Sequence, residues 1–392
     1  MRTSAYLFSV LLLLTSTLLG GCWDRREIND VAFVMLTAMD KGKKEGTYTS
    51  YIQVAVPVKM GGGQAGSSPG GKGEKPYMTL HTTGRNLDEM RIEGERQLSR
   101  DMSVAHRRVL MIGESLAKKG IKPILDTISR NPKNRLRTML VFTKGMDARE
   151  MISMKYDLEP FPSEVFREMI TRKGDTPTTM RDFFIMATTP GVQPVASAFS
   201  RRGVEHSHTT LESIAIFRDF KLVGYVDEGQ AMLLNSLLGR TTLGIIKVHL
   251  DDVPGHISIQ LGKLQTKGDV KIQGDEPQFQ YKVQATGHIT ENTTNLDLSN
   301  PKYVSQINKE FRQQLKDGYD KLLKSLQKQY KADSIGLGTL IYRSNPTYWK
   351  KIEKQWPKLF TKQKVQWSIN ANVREIGVTG PPLALPDDEV KK

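Results

Sequence analysis

Apolar residues along this chain fall into distinct rhythms, and each rhythm predicts a kind of element. A block from Tyr6 to Leu19 is apolar except for Ser9 and Thr15 to Thr17. Short apolar runs then alternate with helical spacings. Val31 to Met39, Tyr48 to Val58, Arg107 to Gly113 and Arg137 to Thr143 read as strands, the first two joined as a hairpin across Asp40 to Lys44. Strand-like residues resume at Tyr77 to Thr83 after a Gly-rich loop over 60–76. Asn86 with Glu89 resembles a capping box, and Leu87, Met90 and Leu98 line one side of the helix behind it. Ile121, Ile124, Leu125 and Ile128 predict a second amphipathic helix, and Asp147 with Glu150 a further capped start. The order β-β-α-β-α-β-α predicts a small mixed sheet covered by helices on one face.

Beyond this, periodicity weakens and prolines recur at Pro160, Pro162, Pro177, Pro190 and Pro194, with room for short helices around Val165 and Phe183. Leu211 to Phe217 and Lys221 to Val226 read as two strands opening a second domain, with Asp227 and Gln230 boxing the next helix and Gly239 ending it. Strict alternation marks Ile257-Ile259-Leu261 and Phe279-Tyr281-Val283-Ala285 as half-exposed antiparallel strands. Asn300-Pro301 starts the longest helix. Val304, Ile307, Phe311, Leu315, Leu322, Leu326 and Tyr330 keep its spacing over about 45 Å, with lysines on the other faces. Asn345-Pro346 starts one more, carrying Trp349, Ile352 and Trp356 on a single stripe read as core. Trp367, Ile369, Ala371 and Val373 alternate in a closing strand.

The fold class is therefore α+β, with two or three separate mixed domains, each a small mixed or antiparallel sheet with packed helices. The divisions are a signal peptide over 1–21, an N-terminal α+β domain over 22–165, a boundary region over 166–208 able to join a second subdomain, a C-terminal α+β domain over 209–379 and a tail over 380–392.

The first apolar block is too short and too poorly flanked for a spanning helix, and with Arg2 before it reads as a secretory signal. It ends on Leu19-Gly20-Gly21-Cys22, a bacterial lipobox. Small residues pass the processing peptidase, cleavage falls between Gly21 and Cys22, and the only cysteine in the chain takes the lipid. Two acyl chains suffice for stable anchoring, since each buried methylene is worth roughly 0.8 kcal/mol. With that thiol spent no disulfide remains, so the exported domains rest on buried apolar surface, which 38% hydrophobic residues can supply. A net charge of +15 on an exported chain points to anionic headgroups, wall polymers or acidic partner loops rather than nucleic acid.

The search for chemistry yields no catalytic, cofactor or metal assignment. Gly66 to Gly73 fits a phosphate loop only until Gly73 replaces the magnesium-binding hydroxyl residue, and Gly66 to Gly70 matches a nucleophile elbow without its strand and helix. Ser115 with Lys118, and Ser325 with Lys328, match the serine-lysine pattern of penicillin-recognising enzymes without its partner motifs. His206 and His208 lack a third ligand, and Asp251-Asp252 reads as turn chemistry before Pro254-Gly255.

An ordered set of residues carries a resemblance over nearly the whole mature chain. It comprises Cys22-Trp23-Asp24 with Glu27-Ile28; His106 to Val109, Ile112, Gly113-Glu114, Ala117 and Gly120; Phe217-Arg218-Asp219 and Lys221 to Gly224; then Asp333, Gly336, Pro346, Trp349-Lys350, Trp356 and Phe360. In these the chain resembles the Ger(x)C family, the C-subunit lipoproteins of GerA-type spore germinant receptors. Phe220, where the family more often has a polar turn residue, and the long Gly-rich loop depart from it. The resemblance implies separate mixed α/β domains and a non-enzymatic receptor subunit, lipid-anchored on the outer face of the cell membrane and, in spores, of the inner membrane. It implies integral-membrane A and B subunits as partners, with germinant recognition usually placed on B. The competing class is a substrate-binding lipoprotein of a transporter, which normally repeats strand-helix-strand units where this chain alternates antiparallel strands.

Overall fold

A computed structural model of the protein describes residues 30–56, 75–172, 178–203, 208–240, 244–377 and 391. The signal peptide, Gly21 and Cys22, the Gly-rich loop up to residue 74, His206 and the tail apart from residue 391 lie outside the described residues.

Four parallel strands form the centre of the first sheet: β1 (Val31–Lys41), then β5 (Val109–Ile112), β6 (Met139–Thr143) and β7 (Val195–Arg202). Antiparallel wings flank them, β2 (Tyr48–Ala55) and β3 (Tyr77–Gly84) on one side, β8 (His208–Arg218) and β9 (Lys221–Asp227) on the other. The three-residue β4 (Asp101–Ser103) lies beside the start of β1.

All four residues of β5 are buried, as expected where both faces of a parallel strand are covered. Leu110 and Ile112 pack with Leu140 and Phe142 against α2 (Glu114–Lys119), α3 (Lys122–Arg130) and α6 (Met180–Thr188). Val109 and Met111 pack with Val141 on the other face, against α4 (Ala148–Ser153) and α5 (Pro162–Arg172). Helices therefore cover both faces, not the one face expected. Helices α4 and α5, both expected as elements, cover the second face.

The hairpin expected to open the second domain instead completes this sheet. Strand β8 pairs antiparallel with β7, Val195 opposite Ile216. Strand β7 starts directly after Pro194, and its Ala196-Ser197-Ala198 stretch carries too little apolar alternation to announce a strand. Ala215 and Phe217 of β8 face the first core, whereas Ile214 and Ile216 join the core of the C-terminal half, so this edge of the sheet serves both.

In that half, β10 (Ile245–Val248), β11 (Ile257–Gln273) and β12 (Glu276–Asn292) run antiparallel. Burial alternates along β12 as its sequence predicts, with Phe279, Tyr281, Val283 and Ala285 inward. The closing strand, β13 (Val365–Glu375), lies parallel to β12, because the long helix carries the chain back across the sheet. That helix, α8 (Pro301–Lys324), continues as a π-helical turn over Ser325–Tyr330, and it buries Ile307, Phe311, Leu315, Leu322, Leu326 and also Tyr319. Lys309, Lys316, Lys321 and Lys324 remain exposed on its outer face. The tryptophan stripe is split between α10 (Pro346–Ile352) and α11 (Trp356–Phe360) by a 3-10 turn, since Pro357 can occupy only the first turn of a new helix. Both tryptophans are buried nonetheless.

Caps follow the sequence only in part. Asn86 caps α1 (Leu87–Glu95) by accepting from the Glu89 N–H at 2.9 Å. Asp147 and Asp227 make no such bond, and Asp227 instead accepts from Ser213 and pairs with Lys144.

Candidate functional site

Several of the described residues that carry the family resemblance lie at two joints of the fold. The first lies where the segment between α6 and β7 meets α9 (Leu337–Ser344). Asp333 is buried just ahead of that helix. Its carboxylate accepts from the backbone N–H groups of Gly336, Leu337 and Gly338 at 2.8, 3.0 and 2.8 Å, and from Trp356 Nε1 at 3.0 Å. One side chain thus satisfies the orphan donors of a helix N-terminus and fixes an indole from another helix. The same region grips the N-terminal half: Gln193 N donates to the Asp333 carbonyl at 2.8 Å, and Thr339 donates to the carbonyls of Gly191 and Pro190. Gly191 has φ +76°, and a Cβ there would stand 2.3 Å from the Gly338 carbonyl carbon. Only glycine permits this approach.

A second crossing lies nearby. Gly224 of β9 lies flat on Tyr330, where a Cβ would come within 2.3 Å of the ring, and the Tyr330 hydroxyl donates to the Tyr225 carbonyl. The turn ahead of it places Asp219 and Phe220 at φ 50° and 62°, and the Phe220 ring lies 6.2 Å from that of Phe183. The departure at Phe220 is thus an apolar contact with the first core.

The other joint closes the first sheet. Asp40, at the end of β1, accepts from Ala148 N and Arg149 N at 2.8 and 2.9 Å, supplying the cap of α4 that sequence assigns to Asp147. Gly113 is what admits it, because a Cβ there would sit 1.9 Å from Asp40 Oδ1. Glu114 accepts from Gly145 N and pairs with Lys118.

Burial pushes both Asp40 and Asp333 up to about 6, against the pull of their N–H donors. An unfolded aspartate titrates near 3.8, so between these values the fold holds protons that the unfolded chain has released. This contribution is complete below the lower value and is lost as pH rises through the upper one. Acidifying from about pH 7 to about pH 5 is expected to stabilise the protein by about 1 kcal/mol per group. Urea midpoints check this, and a steady fall over that interval would contradict it.

The serine-lysine pairs are not brought together. Ser115 donates to Asp147 at 3.3 Å while Lys118 pairs with Glu114. Ser325 donates to the Lys321 carbonyl and Lys328 to that of Thr361. His208 begins β8 opposite Arg202, and Asp252, at φ 61°, occupies the expected turn. Among the described residues no three His, Cys, Asp or Glu gather as metal ligands. The buried carboxylates are engaged by backbone N–H groups and an indole, an arrangement that holds elements in register. Sequence reasoning singled out Asp333 and Gly336 without a role and missed Asp40, Gly191 and Gly338. A glycine beside Pro190 in a proline-punctuated stretch was the available signal.

The family model described as "Spore germination protein N-terminal domain" matches residues 24–201, and that described as "Spore germination B3/ GerAC like, C-terminal" matches 212–377. The second match begins inside β8, whose pairing belongs to the first sheet. The chain is 29% identical over 374 residues to the putative spore germination protein YfkR of Bacillus subtilis, covering 94% of this chain and 96% of the relative. It is 23% identical to spore germination protein KC of the same organism, covering 96% and 97%. It is also 23% identical to spore germination protein B3, again of that organism, covering 92% and 96%. The crystal structure of the GerBC protein superposes with a TM-score of 0.57 at 16% identity, covering 87% of this chain and 97% of that one, and shares the fold. Matched along both halves by the family's own N- and C-terminal models, the chain belongs to the GerAC-like spore germination proteins, the family of spore germinant receptor C subunits.

Proposed function

We propose that this protein is the membrane-anchored, non-catalytic C subunit of a spore germinant receptor. In this reading it is cleaved between Gly21 and Cys22, acylated on Cys22, and held on the outer face of the cell membrane, which in spores is the inner membrane. There it acts beside integral-membrane A and B subunits. The observation that carries the reading is positional: the family match begins at residue 24, two positions beyond Cys22 of the lipobox. Among the described residues no helix is long and apolar enough to cross a membrane, so attachment in this reading rests on Cys22. A tether raises the effective concentration of the subunit beside its partners, so modest contacts suffice for assembly.

Cys22→Ala is expected to move the protein out of the spore membrane fraction and to weaken nutrient-triggered dipicolinic acid release while both halves still fold. Mass spectrometry of the mature N-terminus reads the modification directly. An unmodified Cys22, or undiminished release from spores whose mutant protein lacks lipid, would remove the tether from the mechanism.

A further inference from the structure

A cleft of about 660 Å³ opens on the first sheet between α1, β1 and β2 on one side and the end of α3 with the loop after it on the other. Its wall combines apolar residues, among them Ile52, Met90 and Ile128, with polar and charged ones, among them Arg107. Arg107 is only 7% exposed. Its Nη2 donates to Asn134 Oδ1 at 2.7 Å, and its buried Nε finds no acceptor. No carboxylate pairs with it among the described residues, and burial lowers its pKa only to about 10. The group therefore stays charged at neutral pH. A buried cation without a counterion is costly, and such groups are normally paired or ligated.

The surroundings hold this guanidinium in place. Asn134 is itself fixed by donating to the Ile128 carbonyl at 3.0 Å, and the backbone of Arg107 is held at both ends, its N–H by the Val104 carbonyl and its carbonyl by Thr138 Oγ1. Of the other cations lining the cleft, Arg91 pairs with Glu95 and Arg130 with Asp126, while Lys133 is exposed. Arg107 thus sets a buried positive charge in a cleft of ligand size whose lining mixes apolar and polar side chains. From this geometry we infer that the cleft binds a small organic monoanion, a carboxylate with an apolar body, whose carboxylate pairs with the Arg107 guanidinium. A single buried cation matches a monoanion, and the planar guanidinium suits the two oxygens of a carboxylate. The lining side chains Ile52, Met90 and Ile128 would cover the apolar body.

Thermal shift and calorimetry on the full-length, detergent-solubilised lipoprotein test the inference with 3-phenylpropionate, 3-phenylpropanol and inorganic phosphate as probes. The carboxylate is expected to raise the midpoint and to bind at least about tenfold more tightly than the alcohol, with phosphate inert. Arg107→Met, which removes the charge and keeps an apolar side chain in its place, should abolish that preference. Leu87→Trp fills the mouth of the cleft with Arg107 intact, and should weaken binding about as much even where Arg107→Met does not fold. Equal binding of acid and alcohol, a response to phosphate as large as to the acid, unchanged affinity in the variants, or no binding of the acid at millimolar concentration would each overturn it.

Discussion

Replacing Trp356 with alanine is expected to destabilise the protein by about 3 to 5 kcal/mol, the range for truncating a large aromatic in a core. The indole is buried against Trp349, Phe279 and Phe360, with ring centroids 5.7, 6.3 and 6.4 Å away. Its Nε1–H is also one of four donors on the buried Asp333 carboxylate. Alanine therefore opens a cavity and strips a buried charge of one partner. Trp356→Phe separates the two effects: it keeps most of the packing and loses the hydrogen bond, for an expected cost of about 1 to 3 kcal/mol. Trp349→Ala should fall near Trp356→Ala, since that ring is equally buried. Chemical unfolding midpoints within about 1 kcal/mol of the parent for both alanine variants would place the stripe outside the core.

Gly191→Ala is expected to cost roughly 3 to 5 kcal/mol although it adds a single methyl group. Gly46 provides the control, because its φ of +74° nearly equals the +76° of Gly191 while a Cβ there meets nothing within 4 Å. Gly46→Ala should cost only the left-handed strain, about 1 to 2 kcal/mol. The difference between the two variants measures the contact with the backbone of Gly338. Because that contact joins the segment before β7 to α9, the variant should also unfold in two resolved steps where the parent unfolds in one, with the loss of the Thr339 and Gln193 hydrogen bonds. Equal costs at the two glycines would mean that the junction yields without resistance.

The alternating inward residues of β12 and the stripe of α8 were legible because each depends on local order: a period of two, a helical period. The same locality explains what misled. Asp147 and Asp227 stand where caps belong, yet whether a carboxylate caps its own helix depends on what else reaches it. Asp40 reaches α4 from 108 residues away, and Lys144 draws Asp227 aside. No window along the chain contains that competition.

Periodicity determined most of the elements, their apolar faces and the α+β class, since burying one face of a helix or strand is a requirement each such segment states in its own composition. Tertiary structure decided which faces meet. It placed β8 and β9 in the first sheet, because their two faces suit two different cores, and it covered that sheet on both sides. It also turned Asp333, Gly191 and Gly338 into a joint and left Arg107 buried with no counterion among the described residues, because close approach and desolvation are properties of pairs brought together from distant parts of the chain.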